Sequence, residues 1–150
     1  MRSICRTVLL AVILVCIPSG CITGSGRGSD VIDAVVPDPH QMVTCADEGI
    51  DGPPGRTCTM AVGGVQRDVV HRLVTALADR GFEVACTTGS QINGGTSVTV
   101  NASRPDLRVT ASVYSTGMVG DKPIPFGFVG LNIDASEYKD SVPFGDACEA

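Results

Sequence analysis

The chain has 150 residues, a formal charge of −5 and 43% hydrophobic residues, enough for one ordinary domain with a real core and too short for two. Aromatics are 4% and Trp is absent, so the core must be built from Val, Ala, Leu and Ile. The acidic balance argues against nucleic acid, which needs a basic face.

The first twenty residues read as an export signal. Arg2 and Arg6 give a basic start, and an unbroken apolar run of ten follows from Val8 to Ile17. A bilayer-spanning helix needs about 20 apolar residues, so this run is short for a permanent span. Pro18, Ser19, Gly20 and Cys21 close it. That ending resembles a bacterial lipoprotein signal, in which an aliphatic residue and two small residues precede the lipidated cysteine. Ser19, Gly20 and Cys21 match the small-small-Cys portion, while Pro18 stands where Leu is usual. The resemblance covers residues 1–21 only. It implies lipidation at Cys21 (palmitate or a similar acyl chain) and export to the outer face of the bacterial cytoplasmic membrane. Glycines and serines over 22–29 then suit a flexible tether, with a reach of roughly 15–17 Å as a coil. An ordinary secretory signal with an incidental cysteine is the competing expectation.

The expected organisation is a signal over 1–20, lipidated Cys21 with its tether over 21–29, and a single small domain over 30–150. Losing Arg2 and Arg6 leaves 9 basic and 16 acidic residues, a charge of −7. Such a surface is repelled by anionic headgroups, so membrane attachment would rest on the lipid.

Cysteine usage points the same way. With Cys5 and Cys16 in the signal and Cys21 acylated, four remain: Cys45, Cys58, Cys86 and Cys148. An even number in an exported domain reads as two disulfides, for which three connectivities exist. Cys45–Cys58 and Cys86–Cys148 are favoured. The first pair brackets the turn-rich stretch 51–55, and the second would staple the tail to the sheet. A four-thiolate zinc site is the alternative, but twelve, twenty-seven and sixty-one intervening residues lack the close pairs of structural zinc. No metal or cofactor is expected.

In chain order, Ser29 can cap a short helix over 29–36 with a partial stripe of Val31, Ile32 and Val35, ended by Pro37 and Pro39. The stretch 38–55 reads as an acidic loop. A strand over 57–62 leads through Gly63 and Gly64 into the best-supported helix, 65–80. There Val65, Val69, Leu73, Ala76 and Leu77 share one side, with Arg67, Asp68, Arg72 and Asp79 off it. Gly81 suits the position after the helix. Strands are expected over 82–87, 96–102, 107–114 and 128–134, with a hairpin signal at Asn93-Gly94 and a helical turn over 135–140. The region 107–114 alternates cleanly between apolar and polar residues, the mark of a half-buried antiparallel strand. The expected fold is α+β: one amphipathic helix on a mostly antiparallel sheet of about four to five strands, stapled by disulfides.

No motif in the domain carries specific chemistry. Gly63-Gly64 precedes a helix but lacks the Lys and spacing of a phosphate loop. Asp47, Glu48 and Asp51 depart from an EF-hand pattern. His40 and His71 belong to no metal pattern, and no Gly-x-Ser-x-Gly turn exists to supply a nucleophile. The long loop 115–127 carries Met118, Val119, Ile124 and Phe126 among glycines and prolines, the pattern of a contact surface. The expected function is a non-catalytic, membrane-anchored envelope lipoprotein that binds an envelope protein or a small ligand. The competing class is a small envelope hydrolase using His71 with a nearby carboxylate.

Overall fold

A computed structural model describes residues 27–48, 54–91, 94–138 and 142–148. The expected signal, Cys21 and the first part of the expected tether lie outside the described residues. The elements are α1 (Arg27–Val35), β1 (His40–Glu48), β2 (Gly55–Gly63), α2 (Gln66–Ala78), β3 (Glu83–Ser90), β4 (Thr96–Arg104) and β5 (Leu107–Tyr114). A small hairpin of β6 (Met118–Val119) and β7 (Lys122–Pro123) precedes β8 (Phe128–Ser136). The six long strands form one sheet in the order β1-β2-β8-β5-β4-β3, every neighbour antiparallel. Both helices lie on the same face of that sheet.

The period-2 alternation decides which face is covered. Leu107, Val109, Ala111 and Val113 of β5 are buried, and so are Val129, Leu131, Ile133 and Ala135 of β8. Their cross-strand partners Met60, Val62, Val100 and Ala102 continue the layer. Against it α2 lays Val69, Val70, Leu73 and Leu77, and α1 lays Val31, Ile32 and Val35, all in one apolar cluster. Full burial of a side chain such as Leu73 contributes about 1.5–3 kcal/mol. The opposite face is hydroxyl- and amide-rich and faces solvent, as one side of an antiparallel sheet commonly does. Its side chains bond one another: Thr57 Oγ1 donates to Asp134 at 3.1 Å, and the Thr99 and Ser112 hydroxyls lie 3.0 Å apart.

The expected α+β class and antiparallel sheet are present, with three corrections. First, the sheet has six strands, because 40–48 forms an edge strand and not a loop. Its exposed polar side chains carry no apolar alternation, and a register irregularity between Gln41 and Thr44, with Met42 at φ 59°, interrupts its pairing with β2. Such bulges blunt a sheet edge. Second, there are two covering helices. The first begins at Arg27, within the stretch expected as tether, because Arg27 pairs with Asp106 and the buried Ser29 hydroxyl accepts a 3.0 Å hydrogen bond from Arg56. Third, Ala135 and Ser136 extend β8 where a helical turn was expected, since both pair with β2 and β5.

Both favoured disulfides are formed. Cys45 and Cys58 face each other across β1 and β2, and Cys86 joins Cys148. The C-terminal segment approaches over the polar face, where the Asn101 amide donates to the Phe144 carbonyl at 2.8 Å. It then rounds the β3 edge, with a single antiparallel bridge between Cys86 and Asp146.

Candidate functional site

The loop 115–127 folds into the β6–β7 hairpin at one end of the sheet. Its anchor is Tyr114, whose hydroxyl donates to the Met118 carbonyl at 3.2 Å. Burial pushes the Tyr114 phenol above its ordinary pKa. The four apolar residues expected as contacts are placed differently. Val119 is buried where β6 approaches β2, and Ile124 is half-buried. Met118 is half exposed, and Phe126 is fully exposed. Exposed Val65 stands on the adjoining turn, because the Gly64 N–H donates to the Gly127 carbonyl at 2.9 Å. Phe126, Met118 and Val65 are thus exposed apolar residues at the tip of the domain, the end where β2 and β5 finish and β8 begins.

That tip lies away from the start of α1. Arg27 pairs with Asp106 in the β4–β5 turn, and Ser29 bonds Arg56 near the start of β2. The tip borders Gly63 and Phe128, at the other end of the same strands. The length of β2 separates the two ends by roughly 25 Å.

A second concavity went unnoticed in the sequence. It is a cleft of about 430 Å³ between the first turns of α2 and strands β3 and β4. Val70, Val98 and Cys86 supply an apolar floor, while Gln66, Arg67 and Thr88 stand around it. Asp146 and Ala147 of the C-terminal strap close one side. Clefts of this size are within the range that holds small ligands or single side chains. Gln66 fixes the helix end of the cleft: its Nε2 donates to the carbonyls of Thr96 and Val113 at 2.8 Å each, and its Oε1 accepts from Thr96 Oγ1 at 2.7 Å. These bonds tie the first residue of α2 to β4 and β5; the helix itself has no side-chain cap at Val65. The available signals were Val70 beside the helix stripe and the Cys86–Cys148 pairing, which carries Asp146 and Ala147 to this spot.

The remaining candidates are scattered. His71 is exposed on the outer side of α2, in an open depression of about 580 Å³ with Gly64, Arg67, Asp68 and Arg72. His40 Nδ1 lies 2.9 Å from the Asp38 carboxylate, and His40 pairs with Val62 of β2. Asp47 pairs with Arg56 at 3.5 Å. Asp51 lies outside the described residues, as does the side chain of Glu48. No three His, Cys, Asp or Glu side chains gather among the described residues. Arg72, expected off the core stripe, is no bystander: its guanidinium donates to the Asp38 carbonyl at 2.5 Å and the Gly63 carbonyl at 2.6 Å.

No helix of the described residues is long and apolar enough to cross a membrane. No family model matches the chain, and neither the curated proteins nor the solved structures include a match to it.

Proposed function

We propose that this chain is an exported, lipid-anchored envelope protein that performs no catalysis and docks a partner protein through its apolar tip. Acylation at Cys21 would hold it to the outer face of the cytoplasmic membrane. The tether would join the domain at Arg27, and the opposite end would face outward. The observation that carries this reading is the exposure at the tip: Phe126 is wholly exposed, and Met118 and Val65 are exposed on the same end of the domain, remote from α1's start. An exposed cluster of large apolar side chains on a small acidic domain is the usual mark of an interaction surface. Its remoteness from α1's start favours a protein over the bilayer as its partner.

Two measurements test the reading. A palmitate analogue should label the wild-type chain in cells and leave Cys21→Ala unlabelled; equal labelling removes the anchor. Crosslinking and capture from the native envelope should retain a partner with wild type and lose it with the doubly substituted Phe126→Ser, Met118→Ser protein. A partner retained equally by both would remove the tip from the account.

A further inference from the structure

We infer that the cleft between α2 and the β3 edge is a peptide site: an extended segment of another polypeptide adds to β3 at Thr88 and seats one uncharged apolar side chain on Val70 and Val98. This deepens the reading of a binding domain by naming a partner class, on a surface separate from the Met118–Phe126 tip.

The backbone argument starts at Cys86. Its N–H donates to the Asp146 carbonyl at 2.8 Å, and its carbonyl accepts from the Asp146 N–H at 2.9 Å. Both groups therefore point away from β4, although Cys86 stands opposite Val100 in the ladder. In an antiparallel pair the residues alternate between those that bond their neighbour strand and those that point outward. Thr88, opposite Val98, and Ser90, opposite Thr96, share the parity of Cys86. Their N–H and carbonyl groups also point outward, both residues are exposed, and no described residue bonds them from that side. This chain's own C-terminal strap already uses the edge at Cys86, so the edge is shaped to take an antiparallel chain. One step along, no described residue pairs with it. An unpaired edge is a template for strand addition, and main-chain bonding with a pocket for alternate side chains is the recurring form of such recognition.

The cleft supplies that pocket. Thr88, Val70 and Val98 all line it, so a residue paired with Thr88 directs its side chain over an apolar floor. Among the described residues the rim holds one cation and one anion, Arg67 and Asp146. Arg67 is 81% exposed and pairs with Asp68 at 3.5 Å. A rim of balanced charge over an apolar floor favours an uncharged anchor over an acidic or basic one. The Cys86–Cys148 bridge fixes Asp146 and Ala147 as one wall, so the pocket is held open before a ligand arrives.

The probe is a phage-displayed library of random octapeptides selected on the oxidised full chain, with the enriched sequence then made synthetically. The expected results are enrichment of peptides bearing an aliphatic residue, and slowed amide exchange at Thr88 and Ser90 when the synthetic peptide binds. Thr88→Pro deletes the outward N–H, which an edge strand tolerates, and should weaken binding at least tenfold. Thr88→Ala keeps the N–H and should bind within twofold of wild type. A peptide N-methylated at its edge-facing amides should also lose at least tenfold, and this arm stands even if Thr88→Pro fails to fold. Phe126→Ser should leave peptide binding unchanged, which separates this site from the tip. No enrichment, equal binding by the N-methylated peptide, or protection located on 115–127 would each overturn the inference.

Discussion

The Tyr114 ring lies against Gly130, so close that a Cβ added at position 130 would sit 2.1 Å from Cε2. The two residues are cross-strand partners on β5 and β8. The phenol then reaches on to the Met118 carbonyl, so the hairpin is held through a ring that depends on a missing side chain. Gly130→Ala must push the ring away. Overpacking of this kind costs about 1–3 kcal/mol, and denaturant melts should show a loss of that size. Amide exchange should also quicken at Met118 and Val119. A variant as stable as wild type would mean the ring has free space to move.

The same burial sets an alkaline pH dependence. Tyr114's pKa is raised in the fold by desolvation, so the folded state favours the neutral phenol. The stability this provides is fully present below the unfolded phenol's pKa of about 10. It is lost as pH rises through that value toward the raised folded pKa, because the unfolded chain gives up its proton first. Melting midpoints measured from about pH 8 to about pH 11 should fall for wild type, and fall less for Tyr114→Phe. Parallel curves would place the ring in water.

The two disulfides should be fully formed in exported protein, so thiol titration in denaturant should return a value near zero. They should not contribute equally. Cys86–Cys148 closes a loop with a sequence separation of 62, and Cys45–Cys58 one of 13. Chain entropy assigns about 4 kcal/mol to the long loop and about 3 to the short one. Removing the long bridge by paired Ser substitutions also frees the strap at Gly145, whose positive φ and tight passage over the Cys86 backbone only glycine accommodates. The long-bridge double variant should therefore be the less stable of the two in denaturant melts. The reverse order would mean that the strap contributes little to the folded state.

Much of this fold was legible because its inner strands alternate. Leu107, Val109, Ala111 and Val113 announce a half-buried strand, and β5 has the expected limits. β1 was not legible for the opposite reason: it is an edge strand with mostly exposed side chains, so its sequence alternates nothing, and Cys45 is turned inward by its bridge to Cys58. The tip was half legible. Composition marked Met118, Val119, Ile124 and Phe126 as apolar residues in a loop, but which of them turn inward depends on where β6 meets β2. The cleft was illegible because its walls come from α2, β3, β4 and the tail, which no local pattern joins.

Helix α2 separates core from latch at adjacent positions. Leu73 is wholly buried at the centre of the stripe, and truncating such a residue costs about 2–5 kcal/mol. By helical periodicity Arg72 faces elsewhere, and a surface substitution there would be worth within about 0.5 kcal/mol. Its geometry says otherwise. Two nitrogens of one guanidinium reach the Asp38 carbonyl, between α1 and β1, and the Gly63 carbonyl at the end of β2, with Nε 3.4 Å from the Asp68 carbonyl. One side chain thus ties α2 to two connections far apart in sequence. Hydrogen bonds to a charged group contribute about 1.5–3 kcal/mol when buried, and partial solvent contact lowers that to about 1–2 for Arg72→Ala. Arg72→Lys keeps the charge but cannot span both carbonyls in the planar fork, so it should recover less than half of the loss. Leu73→Ala, Arg72→Ala and Arg72→Lys compared by denaturant melts, disulfides intact, should fall in that order of decreasing cost. An Arg72→Ala protein indistinguishable from wild type would show that the latch carries no free energy and that α2 is held by its apolar face alone.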